Sequence, residues 1–570
     1  MGIRWRQLWQ RKSLERLLAE MAGEQRLHRV LGPVALTSLG VGAIIGAGIF
    51  AMTGRVAAED AGPAVVLSFV VAGLACTFAA FCYAEFAAMV PVAGSAYTYT
   101  YATLGEIWAW IIGWDLVLEY AMSCSVVAAH WSHYLDELLW ISFGWHIPPA
   151  LLSDPFTPLV VDGIVVQPYV NLPAILIMLA VTIVLVLGIR ESALTNALLV
   201  MVKMAVVLFV IILGCHYIVP GNWTRVAVER RKVTDLSDYL ERHPELAARL
   251  PPGAVSSLTD GRTLLKEHPE LGAGWTAAEQ LEIAVLPNEA SKWGILGVLG
   301  IRQWLQPLDE AVRSPFMPYG WSGVMVGAAL VFFAYIGFDS ISTHAEEAVR
   351  PHRDVPVGIL ASLAICTILY VLVAGVITGM ERYPEIDLEA AVAVAFRRRA
   401  ELSRSPWLQG AAWLIAVGAL AGMTSVLLVT FLSQARIFLA MARDGLLPLG
   451  VFGVVHPRYR TPHRSTILTG VTICLVSGML PIRLLEEMVS IGTLMAFVLV
   501  CASVLVLRVT RPDVPRPFRC PAVYLVAPLG VLVNLVVMAF LPLDTWLRLV
   551  AWLAVGLALY FLYGHHHSRS

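Results

Sequence analysis

Charge is scarce in this chain. Asp, Glu, Lys and Arg make up 14% of its 570 residues, against about 25% in a typical soluble domain. Apolar residues take their place: 58% of the chain is hydrophobic and the mean hydropathy is +0.72. That excludes an ordinary soluble globule and predicts a polytopic membrane protein. A surplus of one sign is missing too. The net charge of −1 leaves no electrostatic footprint for a nucleic-acid partner. Cysteine chemistry is absent as well, because Cys76, Cys82, Cys124, Cys215, Cys366, Cys474 and Cys501 all lie inside apolar runs. There they act as small hydrophobes, so neither a disulfide framework nor a metal spacing is read. No P-loop, Cys-x-x-Cys pair or metal-spaced histidine cluster occurs. The expectation is therefore a protein that is not an enzyme, with no cofactor, no metal and no ATP-driven step of its own.

What is present is a succession of long apolar runs. Segments of spanning length fall at 33–55, 63–90, 105–130, 171–189, 192–219, 321–346, 357–380, 407–440, 464–481, 487–508, 523–542 and 546–563. No cleavable signal peptide is read before them. Residues 1–31 mix Arg4, Arg6, Arg11, Lys12, Arg16, Arg26 and Arg29 with Trp5, Trp9, Leu14, Leu17 and Leu18, the pattern of an amphipathic helix on the cytoplasmic surface. Basic residues of the short loops set the orientation. With the N-terminus inside, the inner loops hold Arg190, Arg350, Arg353, Arg436, Arg443, Arg458, Arg460, Arg464, Arg508, Arg511, Arg516 and Arg519. The outer loop 131–170 holds no Lys or Arg. Arg397–Arg399, Arg404 and the 220–320 segment are the exceptions, and long segments translocate largely regardless of charge. Both termini are placed in the cytoplasm, and the chain in the cytoplasmic (inner) membrane.

Segment 220–320 is the one shift in composition. It is polar and repeats a phrase, Leu240-Glu-Arg-His-Pro-Glu-Leu246 and Leu265-Lys-Glu-His-Pro-Glu-Leu271. Short Ser- or Asp-capped helical turns ending before proline are predicted, forming an extracytoplasmic cap. Docking of an accessory subunit through it stays open. The organisation expected is 1–31 N-terminal segment, 32–219 spans 1–5, 220–320 insertion, 321–508 spans 6–10, and 509–570 spans 11–12 with the tail.

Two runs carry interruptions. Span 1 reads Gly40-Val-Gly-Ala-Ile-Ile-Gly-Ala-Gly-Ile-Phe50, and span 6 reads Val331-Phe-Phe-Ala-Tyr-Ile-Gly-Phe-Asp-Ser-Ile-Ser342. Gly42 and Gly46 by themselves also fit a helix-packing GxxxG pair. Interruption of the first span in each of two five-span halves, however, points to a transporter site. Half-helix N-termini offer N–H groups to an anion, and the opposing broken ends offer carbonyls to a cation. A zwitterionic amino acid presents both. A third feature is Lys203, about 16 Å into span 5, where an ammonium must be paired, wetted or deprotonated.

These stretches carry a resemblance. Gly40–Gly54 with Gly62-Pro-Ala-Val, Cys82-Tyr-Ala-Glu-Phe-Ala-Ala-Met-Val-Pro-Val-Ala-Gly-Ser-Ala-Tyr97, Gly113-Trp-Asp-Leu-Val-Leu-Glu-Tyr120, Phe332–Ser342, Ala421-Gly-Met-Thr-Ser425 and Arg436-Ile-Phe-Leu-Ala-Met-Ala-Arg-Asp-Gly-Leu-Leu-Pro448 resemble the prokaryotic cationic amino acid transporters of the amino acid–polyamine–organocation superfamily. The resemblance covers nearly all twelve spans. It implies an all-α fold, a LeuT-like five-plus-five inverted repeat followed by two helices. The insertion and the arginine-rich 396–404 stretch depart from the compact family pattern. By position, the resemblance puts the substrate carboxylate on the Ala47 and Gly48 amides and the ammonium on carbonyls of Ile44, Phe333, Ala334 and Ile336, with Phe333 as an aromatic gate. Relatives often carry Ser or Thr where this chain has Ala47. Lys203 takes the place of a sodium ion in sodium-coupled members of the fold, with Thr424 and Ser425 as hydroxyl partners and Glu119 nearby, directly or through water.

The remaining ionisable groups read more plainly. Asp115 lies one turn from Glu119, and Asp339 is placed to cap the second half of span 6. Glu85, Glu346 and Glu347 are expected in gating or structural pairs with basic residues of the inner loops, Arg350 and Arg436 among the candidates, and His130 and His133, at the outer end of span 3, as interfacial or capping groups. The function expected is secondary active uptake of L-amino acids, cationic ones among the candidates, driven by protons. Amino acid/polyamine exchange and a non-transporting sensor are the alternatives.

Overall fold

The computed structural model describes residues 5–12, 31–89, 95–161, 164–188, 193–251, 253–272, 275–459 and 461–568. Most of the expected amphipathic segment 1–31 lies outside these residues, as do Arg190 and Arg460; Trp5–Leu8 forms a single helical turn.

The protein is mostly helical, as apolar runs must be where only intrasegment hydrogen bonds satisfy the backbone. The principal apolar helices are α1 (Pro33–Ile44), α2 (Val65–Met89), α3 (Glu106–Phe143), α4 (Leu172–Leu187), α5 (Ala193–Cys215), α6 (Gly320–Val331), α7 (Pro351–Met380), α8 (Pro406–Arg443), α9 (His463–Met479), α10 (Ile482–Thr510), α11 (Val523–Ala539) and α12 (Leu543–Leu559). Among the described residues, seven helical stretches are long and apolar enough to cross a membrane: Gly48–Met89, Glu106–Phe143, Gly320–Ser342, Pro351–Met380, Pro406–Arg443, Ile482–Thr510 and Leu543–His567. The helices α4, α9 and α11 have 16 or 17 residues, about 24–26 Å of rise and short of a typical hydrocarbon core.

Local chemistry fixes the ends. Asn171 caps α4 by accepting from the Ala174 N–H at 3.1 Å, and Gly188 closes the helix with φ 66°. Gly144 ends α3 in the same left-handed way. The helices α3 and α8, each of 38 residues, pack along one another, α2 packs along α7, and α10 lies against α3 and α11. One small departure from an all-α chain is the antiparallel pair Leu159–Val161 and Ile164–Val166.

The insertion folds around its own small core of Leu236, Leu264, Leu271 and Ile283. Its repeated phrase makes two matched turns. Helices Leu236–Arg242 and Gly261–Glu267 are capped by Asp235 and Asp260 and end at His243 and His268, each followed by proline. The insertion is tied to the helices below it. Tyr319 donates to the Ala58 carbonyl at 2.9 Å, and the Asp309 carboxylate takes the Ser322 N–H and hydroxyl at the start of α6.

Candidate functional site

Two interruptions meet in the middle of the bundle. The helix α1 stops at Ile44, Ile45 is extended (φ −73°, ψ 105°), and helix resumes as a π-helical stretch, Gly48–Met52, with Ala47 at its N-cap position. The helix α6 stops at Val331 and passes through a 3-10 turn, Phe332–Tyr335, to an extended Ile336. Gly337 then takes φ +119°, and Ser340–Thr343 forms a short helical turn. Glycine is required at both contacts. A Cβ on Gly48 would stand 2.4 Å from the Ala334 Cβ and 2.5 Å from its Cα, and one on Gly337 would stand 2.8 Å from the Ala43 carbonyl carbon. Backbone therefore meets backbone here. The first N–H groups of the resumed helix have no intrahelical acceptor.

Lys203 lies on α5 beside this junction with 1% exposure. Its ammonium donates to the Gly42 carbonyl at 2.6 Å, the Ile45 carbonyl at 3.3 Å, the Gly422 carbonyl at 3.5 Å and the Ser425 hydroxyl at 2.9 Å. Two segments, the interrupted α1 and α8, thus surround the positive charge carried by α5 with oxygen, the ligand set of a bound alkali cation.

The sequence comparisons identify the family. The model of the amino acid permease family matches residues 31–237 and 293–559, leaving out the two ends and the middle of the insertion. The chain belongs to the amino acid permease family. It is similar to the methylthioribose transporter of Bacillus subtilis (strain 168), at 37% identity over 561 residues covering 98% of each chain. It is also similar to the branched-chain amino acid permease BcaP of the same organism, at 38% identity over 565 residues covering 99% of this chain and 98% of that one. The vacuolar cationic amino acid transporter 4 of Arabidopsis thaliana is 34% identical over 491 residues, 86% of this chain and 65% of that one. The resemblance to cationic amino acid transporters read from the sequence holds, and the chain is a multi-pass membrane protein of this class.

Other expected residues of the permease lie as follows. Ser425 is on the ammonium, but Thr424 turns its hydroxyl to the Leu420 carbonyl at 2.8 Å and accepts from the Trp131 indole at 3.1 Å. Thr424 thus misses the role expected for it, because one helical step carries adjacent side chains to different faces. Glu119 is buried and neither of its oxygens has a hydrogen-bond partner among the described residues, so the direct contact with Lys203 is not made. Its neighbours are Asp115, equally unpartnered, and Asp339; the nearby Thr493 hydroxyl donates to the Val489 carbonyl instead. Asp339 stands at the N-cap position without capping. It accepts from the Tyr120 hydroxyl at 2.7 Å and from the Gly337 N–H at 3.2 Å. Of the carbonyls expected to hold an ammonium, that of Phe333 accepts from the Ile336 N–H at 3.2 Å. Those of Ile44 and Ala334 share one hydroxyl, Tyr370 of α7, at 2.9 and 2.7 Å.

Tyr370 escaped the sequence reading, although a lone tyrosine in the apolar run 357–380 was a usable signal, since a buried phenol needs a partner. His130 pairs with carboxylates instead of capping. His130 is wholly buried, with Nε2 2.9 Å from Glu486 of α10 and Nδ1 3.4 Å from Glu389 in the loop after α7. Arg55, in the resumed first segment, pairs with Glu389 and lies 4.0 Å from Glu486. Burial pushes the Glu389 carboxyl up, and Arg55 with His133 and His130 more than offsets this, holding it well below the usual carboxylate range. At the opposite end Glu85 pairs with Arg508 at 2.7 Å and Arg516 at 3.3 Å, two of the basic loop residues named above. Arg436 lies 3.8 Å from Glu347, and Arg350 sits 3.9 Å from Asp354.

Proposed function

We propose that this permease is a secondary active transporter that holds the head group of an amino acid between its two interruptions and moves it with protons. The observation that carries the reading is the Lys203 ammonium among the Gly42, Ile45 and Gly422 carbonyls and the Ser425 hydroxyl. A tethered cation there joins the α1 interruption to α5 and α8. Any change in its proton inventory changes how firmly those segments hold together. In this reading the Ala47 and Gly48 amides take the carboxylate and the carbonyls of Ile44, Phe333, Ala334 and Ile336 face the ammonium. Ser425 steadies Lys203, and Glu119 exchanges protons with the site by way of water. Thr424 serves as a packing group on Trp131.

The helices α1 to α12, with α1 and α6 continued beyond their interruptions, form twelve spans as a five-plus-five repeat and two further helices. Both termini face the cytoplasm, and 220–320 forms a cap on the outer face of an inner-membrane protein. The relatives are named for different cargoes, methylthioribose, branched-chain and cationic amino acids. Backbone recognises the head group alone, so the side chain must be read elsewhere. The unpartnered pair Asp115 and Glu119 supports a cationic side chain as one cargo.

Reconstitution into proteoliposomes tests the reading. Radiolabelled amino acid should accumulate when the lumen is alkaline, and a competition panel of the twenty amino acids and methylthioribose ranks the side chains. Binding without uptake or exchange overturns transport. Exchange that survives collapse of the proton gradient replaces symport by antiport.

A further inference from the structure

A wide-mouthed surface cavity of about 540 Å³, with Glu401, Arg404 and Gln409 among its exposed lining residues, lies where the end of α3, the start of α8 and the helix Ala391–Ser403 converge, at the end of the bundle that carries the insertion. It is apart from the helix interruptions. Its wall is divided by chemistry. Trp140 and Ile141 supply an apolar side, and Arg404, Ser405 and Gln409 supply a cation, a hydroxyl and an amide. Arg397 also reaches the wall, but its guanidinium is taken by Glu137 at 2.5 Å and Glu401 at 2.8 Å. Arg404 has no ion-pair partner among the described residues. It also holds φ +48° at the end of its helix, where glycine is the usual residue, so the position keeps a long basic side chain in a conformation that disfavours one. Next in sequence to its lining residues, Leu402 is 79% exposed and Trp407 64% exposed. Large apolar groups so placed on a membrane protein mark the belt where acyl chains meet head groups.

We propose that this cavity binds a glycerophospholipid, its phosphodiester on Arg404 with Ser405 and Gln409, and its acyl chains against Trp140, Ile141 and Trp407. The volume lies in the range of small-ligand sites, and guanidinium is the side chain best matched to a phosphate oxygen pair. The lipid would brace the helix Ala391–Ser403. The first turns of that helix are buried against the resumed first segment, where a Cβ on Gly54 would stand 2.2 Å from the Ala391 Cβ.

The test uses the full-length protein in detergent, titrated with dioleoylphosphatidylglycerol, with dioleoylglycerol lacking the phosphate, and with inorganic phosphate. Thermal stability and native mass spectrometry are read together. The expected result is saturable stabilisation by the phospholipid alone, with an apparent affinity at least tenfold weaker in Arg404→Gln and unchanged in Arg519→Gln at the opposite end. Arg404→Gly relieves the backbone, so it should keep or raise the lipid-free melting temperature while losing the lipid response, separating binding from folding. Equal stabilisation by inorganic phosphate would make this an anion site, and equal stabilisation by dioleoylglycerol would make it apolar solvation. Either outcome, or an Arg404→Gln protein that responds as wild type does, overturns the proposal.

Discussion

Replacing Tyr370 by Phe removes one oxygen and tests what the two interruptions are for. The hydroxyl lies 2.9 Å from the Ile44 carbonyl and 2.7 Å from the Ala334 carbonyl. It has one proton, so it satisfies one of them at a time. Both carbonyls are buried, since Ile44 is 3% and Ala334 2% exposed. If a substrate ammonium binds there, its three N–H groups serve both carbonyls and must displace the tyrosine proton from whichever carbonyl holds it. In Tyr370→Phe nothing has to be displaced, and both carbonyls wait unsatisfied. An orphaned buried acceptor costs about 1–3 kcal/mol, and every 1.4 kcal/mol is tenfold in a dissociation constant. The variant should therefore bind its best amino acid roughly five- to a hundredfold more tightly and turn over more slowly, because release restores the unsatisfied state. Scintillation proximity binding and initial-rate uptake on the same reconstituted protein read the two effects. Weaker binding would make the hydroxyl a ligand of the substrate, and an unchanged Kd would place the ammonium elsewhere; either refutes the competition.

Three further outcomes are expected. Lys203→Ala should bring uptake driven by a pH gradient down to the rate without a gradient while binding survives, measured in proteoliposomes; persistence of gradient-driven uptake would make the lysine structural. Gly48→Ala should reduce uptake to background, because its Cβ meets Ala334 backbone and side chain at 2.4–2.5 Å, whereas Gly46→Ala meets only Val426, whose Cγ2 lies at 3.0 Å, and should retain most activity. Glu381, just beyond α7, is pushed up to about 7 by burial, which Arg398 only partly counters. The folded state then binds the proton more tightly than the unfolded chain, so its contribution to stability falls as pH rises from the usual glutamate range towards 7 and is flat above. Melting curves of Glu381→Gln should lose that slope between pH 5 and 7.

How much of this was legible in the sequence depends on the range of the interaction. The glycines at 48 and 337 and the buried lysine at 203 announce themselves, since each breaks the rule of its surroundings: glycine in a helix, charge in an apolar run. Ser425 and Thr424 could not be separated from the sequence, because adjacent residues on a helix diverge and only the azimuth of α8 decides which one meets Lys203. The helix lengths of α4, α9 and α11 were overread, since a hydropathy window continues through apolar loop residues that leave the helix at Gly188, Leu480 and Phe540. Asp339 was read by the local capping rule, and a long-range partner, Tyr120 of α3, took its carboxylate instead.

The buried pairing of His130 shows why the polar lock at the insertion end could not be seen beforehand. Arg55, His130, Glu389 and Glu486 come from four segments separated by up to 431 positions in sequence, and no periodicity links them. Each alone reads as an interfacial residue. Together they join the resumed first segment, α3, the loop after α7 and α10, and the side chains are buried or half-buried, so removing one partner strands the others. Such a lock is stable only while all four segments stay together. The first segment is also the one whose other end is held by Lys203 through the Gly42 and Ile45 carbonyls. A movement of that segment away from α10 must therefore break Arg55 from Glu389 and Glu486 at one end while the lysine ring decides whether the other end follows. In the proposed transport reading, alternating access is a contest between two polar clusters on one interrupted helix, with glycines between them.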